Sequence, residues 1–284
     1  MSGSATPGRR RYGLSGFFFT LTSMAQGISS EQARGWQLFR RGLKRKFSDS
    51  RLGILWDLFD PVFMAAAFIV VRSLRGFESS TESLPFAVYC VIGLMLWQNF
   101  MDGLNTGMRV ITGHSQFLSA IKIKPEALFW TAIFDVGFRT LIRLTICILT
   151  LPSLILLGAV PAEFMPGIIA LIAFLAASPI LVMMGMGIGF MLSPFAALSS
   201  DVGRFVPLMA RPLMFLSLAI FALPVKWAKF NPIGVWIDSQ RSLLAGLDVN
   251  LAADLLWSGA LAGVLFLIGW YVLHTSLSIV ADPE

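Results

Sequence analysis

The chain has little charge, and one long stretch of it has none. Only 13% of its 284 residues are charged, whereas 56% are hydrophobic, and no charged side chain lies between Glu163 and Asp201. Residues 164–192 in that interval are apolar almost throughout. About 20 apolar residues at ~1.5 Å each cross the ~30 Å hydrocarbon core of a bilayer. We therefore predict one membrane-embedded domain, which agrees with a mean hydropathy of +0.75.

Cysteine and histidine are also scarce, which argues against two kinds of site. Cys90 and Cys147 fall inside apolar segments, so neither a disulfide framework nor a metal site is supported. The two histidines, His114 and His274, give no His-rich metal site and no Ser/His/Asp arrangement. We predict that the chain contains no catalytic residue, no metal and no cofactor of its own.

A phosphate-binding loop is missing as well. Such a loop needs a Gly-rich backbone and a Lys that is followed by Ser or Thr, and no lysine of this chain is followed by either. The glycines at positions 185, 187 and 189 lie inside an apolar run beside methionines. They predict close helix packing, through Gly185 and Gly189, rather than nucleotide binding. The chain is therefore not itself an ATPase.

Six hydrophobic segments are candidate membrane spans, and they predict an all-α integral membrane protein with six transmembrane helices. The spans are 53–71, 84–101, 127–158, 164–192, 202–225 and 255–278. The first and fifth are the weakest, because they carry charge and contain Pro61 and Pro212. Helices that are interrupted by proline are tolerated where protein or a water-filled path covers the freed backbone groups. We expect these two spans to face a conduit or a partner.

Lysine and arginine are distributed unevenly between the two sides of this topology. Fifteen of the 22 fall on the side of the N-terminus and five on the other side, with Arg139 and Arg143 inside the third span. This asymmetry predicts that both termini are cytoplasmic. The basic residues flank membrane spans, where anionic lipid head groups account for them, so no nucleic-acid partner is predicted.

The segment before the first span has a helical pattern. We interpret residues 1–31 as a cytoplasmic tail and 32–52 as an amphipathic interface helix with the approach to the membrane. If 36–47 is helical, Trp36, Phe39, Leu43 and Phe47 share one face, with Leu38 as the exception. Such a helix lies at the cytoplasmic surface of a membrane, where its basic side chains reach head groups or a protein partner.

Several short motifs occur in the order and spacing of a known family. They lie at 38–40, 47–56, 60–61, 93–97, 122–125, 211–215, 231–233 and 241. Together they resemble type-2 ABC exporter permeases, which move capsular and other polysaccharides. The resemblance covers nearly the whole chain after its first thirty or so residues, and the longer basic N-terminal tail departs from the family pattern.

The resemblance implies a transmembrane permease domain at 53–278 with a cytoplasmic C-terminus at 279–284, located in a bacterial inner membrane. It implies short re-entrant helices at about 223–244, a second copy of the chain, two nucleotide-binding ATPase subunits that bind ATP and Mg²⁺, and a periplasmic adaptor of the polysaccharide co-polymerase type. The amphipathic helix and the loop at about 119–128 would contact the ATPase. The candidate coupling residues are Trp36, Phe39, Arg40, Leu43, Lys44, Phe47, Lys122, Lys124, Pro125 and Glu126.

A polysaccharide path would need polar and aromatic side chains. Asp135, Arg139 and Arg143 are spaced by four and share a helical face, so they form either an internal ion pair or a contact with an anionic translocating chain. Aromatic rings pack against sugar C–H groups, although such rings are also common in cores and membrane belts. The candidate path residues are Tyr89, Trp97, Phe100, Arg139, Arg143 and Phe215, whereas Trp236 is interpreted as a belt residue.

The favoured interpretation is therefore the permease of an ATP-driven exporter for capsular-type, lipid-anchored polysaccharide. Two alternatives stay open at this point: a permease of the same superfamily for O-antigen or teichoic acid polymers, and a membrane-embedded transferase. A transferase would need a clustered catalytic site, and the sequence shows none.

Overall fold

A computed structural model describes most of the apolar segments of the chain. The described residues are 14–49, 85–114, 124–156, 165–217, 231–245 and 251–281, with positions 63, 66, 67, 70 and 161. Helices are the only regular secondary structure in these ranges, which confirms the predicted all-α class. Most of the predicted first span at 53–71 lies outside them, as do Lys122, residues 223–230 and both chain ends.

The α-helices of these ranges are, in chain order, α1 (Leu14–Asp49), α2 (Phe86–Met108), α3 (Pro125–Leu156), α4 (Ile168–Ala177), α5 (Pro179–Leu198), α6 (Ser200–Leu216), α7 (Pro232–Leu244) and α8 (Leu251–Ala281). A 3₁₀ turn at Thr112–His114 follows α2. The boundary predicted between a tail and an interface helix at residue 31 falls inside α1, so these two segments share one helix.

Two segments of the described chain are long and apolar enough to cross a membrane. They are Ile168–Leu198, with 31 residues and a mean hydropathy of 2.5, and Leu256–Leu277, with 22 residues and a mean hydropathy of 1.8. They coincide with the predicted fourth and sixth spans, while the six-span count stays a prediction. The first segment is divided into α4 and α5 at Pro179, which lacks the N–H that would continue the helical hydrogen bonds.

The fifth predicted span differs from the sequence-based expectation at its prolines. Pro212 was a candidate break in it, but α6 continues through Pro207 and Pro212 and ends at Leu216. Its N-cap is Ser199, whose side chain accepts a hydrogen bond from the backbone N–H of Asp201. Proline removes one hydrogen bond from a helix without always ending it, particularly where neighbouring helices cover the freed carbonyl.

Glycine brings the backbones of α2 and α5 together. A Cβ atom on Gly185 would lie 2.9 Å from the backbone nitrogen of Leu104, and one on Gly189 would lie 2.8 Å from that of Met108. The same holds in the other direction, since a Cβ on Gly107 would lie 2.9 Å from the Met186 carbonyl oxygen. The predicted packing through Gly185 and Gly189 is confirmed. Gly187 faces α8 in the same way, so α5 lies between α2 and α8.

The short helix α7 packs into the core. It has 13 residues, or about 20 Å at ~1.5 Å per residue, which is less than the hydrocarbon thickness. Its N-cap Asn231 accepts hydrogen bonds from the N–H groups of Ile233 and Gly234. Trp236 is completely buried, so its interpretation as a belt residue was wrong. A short helix in this region agrees with the predicted short helices at 223–244.

A buried arginine fastens α7 to α2. The Arg241 guanidinium lies 3.5 Å from the centre of the Tyr89 ring, and it donates hydrogen bonds of 2.8 and 3.1 Å to the Tyr89 carbonyl oxygen. Arg241 is only 1% exposed. Stacking on an aromatic face is worth ~2 kcal/mol or more when the cation is desolvated, so this contact fixes α7 firmly in place.

Candidate functional site

The predicted coupling helix lies against α3. Its contact face repeats every four residues, at Gly27, Glu31, Gly35 and Phe39, all of which are buried. A Cβ atom on Gly35 would lie 3.0 Å from the Ala127 carbonyl oxygen, so the α1 backbone rests directly on α3. This spacing follows the helical period of 3.6 residues, which keeps every fourth side chain near the same face.

Two hydrogen bonds run from α3 side chains to carbonyl groups of α1. The indole Nε1 of Trp130 donates to the Ile28 carbonyl at 2.7 Å. The Thr131 hydroxyl divides its one proton between the Ala127 carbonyl of its own helix, at 2.7 Å, and the Gly35 carbonyl of α1, at 3.3 Å. Indole N–H and hydroxyl groups are donors, and a helix carbonyl oxygen has a second lone pair that can accept from them. These bonds attach α3 to two carbonyls that lie about two helical turns apart on α1.

Aromatic rings continue the contact further along both helices. Phe39 lies 6.1 Å from the Phe134 ring and 5.9 Å from the Phe138 ring, and Trp36 makes an edge contact with Phe134 at 5.2 Å. Higher residue numbers on α1 therefore meet higher residue numbers on α3. The two helices run side by side in the same direction over positions 27–39 of α1, about 18 Å at ~1.5 Å per residue.

The predicted apolar stripe agrees with this contact in part. Phe39 is buried and Leu43 is half-buried, while Trp36 remains 49% exposed. Phe47 lies in α1, although its side chain is outside the described part. Arg40 and Lys44 are exposed and border a groove on the opposite side. Sequence reasoning missed the glycines and Glu31 because it followed large apolar side chains only.

An ion-pair cluster joins α1 to the residues that precede α3. The Glu31 carboxylate, whose side chain is 3% exposed, lies 3.2 Å from Lys124 Nζ and 3.1 Å from Arg34 Nη1. Both cationic side chains are largely exposed, at 60% and 66%. Lys124 is thus both an anchor for α1 and a side chain that a partner protein can reach.

Glu126 connects the same region to α8. Its Oε1 lies 3.1 Å from Nε2 of His274, and the residue is 4% exposed. Burial raises the pKa of this carboxyl, but the hydrogen bond with His274 and the charges of His274 and Lys124 outweigh burial, so the net pKa lies below its ordinary value. Glu126 is therefore paired with a residue of its own chain, and Pro125 beside it is half-buried. Of the predicted loop residues that the structure describes, Lys124 is the most accessible.

The charged residues of the third span form a network with α2. Arg143 Nη1 donates to Asp102 Oδ2 at 2.6 Å and to Asn99 Oδ1 at 2.9 Å. Arg139 Nη2 donates to Asp135 Oδ2 at 2.9 Å, and its Nη1 lies 3.9 Å from Asp102 Oδ1. Arg143 is only 7% exposed and Asp102 only 15%. The geometry is that of the internal ion pair, one of the two alternatives that the sequence left open.

The candidate aromatic residues of the path occupy two environments. Tyr89, Trp97 and Phe100 are buried at 5%, 4% and 6% exposure, and the rings of Trp97 and Phe100 lie 5.4 Å apart. Phe215 is 43% exposed on α6. The three buried rings contribute to the packing of the single chain, and a substrate would reach them only after a rearrangement. Their role in a path stays a prediction.

A cavity of about 310 Å³ opens between α1, α2 and α3. Leu38, Phe39 and Leu43 of α1 form one wall. The others include Arg109 at the end of α2 and the Asp135 and Arg139 pair of α3. Leu38, which did not fit the apolar stripe, therefore has a defined place beside this space.

No family model matches this chain. A comparison with curated proteins finds similarity to the polysialic acid transport protein KpsM of Escherichia coli. The two are 23% identical over 188 residues, which is 66% of this chain and 69% of that protein. This supports a weak relationship to a polysaccharide transport permease. The apolar segments Ile168–Leu198 and Leu256–Leu277 are consistent with such a membrane protein.

Proposed function

We propose that this chain is the transmembrane permease subunit of an ATP-driven ABC exporter that moves capsular-type, lipid-anchored polysaccharide across a bacterial inner membrane. The observation that carries this proposal is the similarity to KpsM over 188 residues, in a chain whose described residues are helical. The motif order that resembles type-2 exporter permeases supports it. The chain would form a pore with a second copy of itself and would have both termini in the cytoplasm.

Energy for transport would come from two separate nucleotide-binding subunits, which bind ATP and Mg²⁺. The candidate surface for them is the exposed basic side of α1 together with Lys124, because Glu126 and the apolar side of α1 are already occupied within the chain. A periplasmic adaptor of the polysaccharide co-polymerase type would receive the polymer on the other side. Membrane lipid surrounds the assembly.

Helix lengths support a position for α1 at the cytoplasmic surface of the membrane. The 32 residues of α3 span about 48 Å, roughly 18 Å more than the hydrocarbon core. The contact with α1 is about as long as this excess. We therefore propose that α1 lies beside the cytoplasmic end of α3, which would project from the hydrocarbon core. The two backbones touch at Gly35. A movement of α1 that the ATPase causes would therefore move α3 with it as a rigid body.

Reversing the charge of the exposed basic side of α1 tests this coupling. The double variant Arg40→Glu and Lys44→Glu should lower export at least tenfold and weaken co-purification with the ATPase, because basic side chains would no longer attract an acidic partner surface. Neither side chain belongs to the α1–α3 contact, so the amount of permease in the membrane should be unchanged. Polymer location in cells and pull-down of the ATPase provide the measurements.

Arg204→Glu is the matched control, because Arg204 is an exposed cation on α6, away from α1. It should leave export and co-purification near the wild-type level. Normal export by the α1 double variant, with the ATPase present, would contradict the proposed coupling surface.

A further inference from the structure

The cavity between α1, α2 and α3 combines apolar walls with an excess of positive charge. Its volume of about 310 Å³ is at the lower end of the ~300 to 1,000 Å³ that is typical of small-molecule sites. Leu38, Phe39 and Leu43 provide the apolar wall. Gly42 also lines the space, and a Cβ atom there would meet nothing within 4 Å. The cavity is therefore open beside the α1 backbone.

The charges around this cavity do not cancel. Arg139 and Asp135 both line it and bind each other at 2.9 Å, so their charges are balanced. Arg109 also lines it, and no acidic partner for Arg109 is found among the described residues. The lining therefore carries one net positive charge, which is equal and opposite to the charge of one phosphodiester. A cation near the C-terminus of α2 also interacts favourably with the helix dipole. That interaction does not explain why a cavity adjoins Arg109.

A buried hydrogen-bond acceptor without a partner among the described residues also lines this cavity. Asn105, one turn before Arg109 on α2, lines the same cavity, and its Oδ1 atom is buried without a hydrogen-bond partner in the part of the chain that the structure describes. Leaving such an acceptor unpaired costs the free energy of removing it from water. A ligand hydroxyl or a water held by a ligand would remove this cost.

We propose that this cavity binds the phosphate head group of an anionic glycerophospholipid from the cytoplasmic leaflet. Arg109 holds the phosphate, Asn105 accepts a hydrogen bond from the head-group glycerol, and Leu38 and Leu43 contact the first carbons of the acyl chains. Basic pockets between membrane helices on the cytoplasmic side are suited to such head groups. The inference requires that the chain is embedded in a membrane with α1 on the cytoplasmic side, and it does not depend on what the protein transports.

A bound lipid would have a structural consequence. It would touch α1 through Leu38 and Leu43, and the C-terminal end of α2 through Asn105 and its C-cap Arg109; both helices line this cavity. Because a ligand stabilises the state that binds it, occupancy would favour the docked position of α1. Lipid composition would thereby affect how firmly the N-terminal helix is held.

Lipid retention measures this proposal directly. The purified full chain, or its complex, is incubated with phosphatidylglycerol or phosphatidylcholine in detergent, and bound lipid is counted by native mass spectrometry. The wild type should retain phosphatidylglycerol at least fivefold better than phosphatidylcholine. Arg109→Gln should abolish this preference, because the phosphate loses its cation. Arg204→Gln, an exposed arginine on α6, should keep it.

A second variant fills the cavity without touching a charge. Gly42→Leu should also abolish the preference while the protein remains folded, since leucine favours a helix and the space is open. Gly137→Leu is its control, because a Cβ on Gly137 likewise meets nothing within 4 Å and the residue does not line the cavity. Equal retention of the two lipids by the wild type, or an unchanged preference in both Arg109→Gln and Gly42→Leu, would overturn the proposal. Complete displacement of the lipid by millimolar inorganic phosphate would show that the site binds free phosphate rather than a lipid head group, and this would contradict the proposal.

Discussion

Replacing Gly185 with alanine is expected to lower the thermal stability of the protein sharply. The added Cβ would lie against the Phe100 carbonyl oxygen and 2.9 Å from the Leu104 nitrogen. Both are backbone atoms of α2 that cannot rotate away, so the two helices must separate. Overpacking of a well-packed core costs ~1 to 3 kcal/mol and occasionally more, and we expect the upper part of that range. Thermal unfolding in detergent, followed by size-exclusion chromatography, measures the loss.

Gly263→Ala is the matched control, because it makes the same change in a long helix. A Cβ on Gly263 meets nothing within 4 Å, so this variant should be neutral or up to ~1 kcal/mol more stable, as alanine is the better helix former. Equal stability of the two variants would show that α2 and α5 do not approach each other as closely as described.

Asp102→Asn is expected to produce the second large effect. The substitution keeps the shape of the side chain but removes the charge that balances Arg143, which is 7% exposed. Breaking a buried ion pair by removing one partner typically costs ~3 to 5 kcal/mol, since the remaining charge is uncompensated. The amount of folded protein in the membrane should therefore fall severely. Fluorescence-detected chromatography of a tagged chain, extracted in mild detergent, measures it.

Two further variants distinguish the loss of the Asp102–Arg143 ion pair from the general effect of removing a carboxylate. Asp201→Asn removes an exposed carboxylate in the first turn of α6 and should cost less than ~1 kcal/mol. The double variant Asp102→Asn with Arg143→Gln should recover part of the loss, because no uncompensated charge remains. Wild-type levels of the Asp102→Asn protein would contradict the network, and export lost at wild-type levels in Arg143→Gln would favour a substrate contact.

The sequence predicts which segments are helical better than it predicts which helices pack against each other. The helical class and the glycine packing of α5 follow from local patterns, namely apolar runs and small residues spaced by four. Pro212 misled the prediction because proline weakens a helix locally, whereas tertiary packing decides whether the helix continues. Trp236 was misplaced since an aromatic residue between apolar runs is equally suited to a membrane belt and to a core.

The contacts of the candidate site were harder to predict because they join distant positions. Asp135 and Arg139 are one helical turn apart and their pairing follows from spacing, but Asp102 lies 41 positions from Arg143. A lone aspartate at the end of an apolar run was the available signal, since such a charge requires a partner. Glu31 and His274 gave no periodic signal. The repeat of Gly27, Gly35 and Phe39 was visible but required counting glycine as a contact residue.

The central claim is that this chain carries polysaccharide across a membrane with energy from a separate ATPase. Inverted inner-membrane vesicles that contain the chain and its ATPase partner, supplied with lipid-linked capsular-type polymer, test it most directly. With ATP, the polymer should become protected from an added polysaccharide-degrading enzyme, and vesicles that lack the chain or receive ADP should give no protection. Absence of ATP-dependent protection when both subunits are present, or equal protection without this chain, would contradict the account.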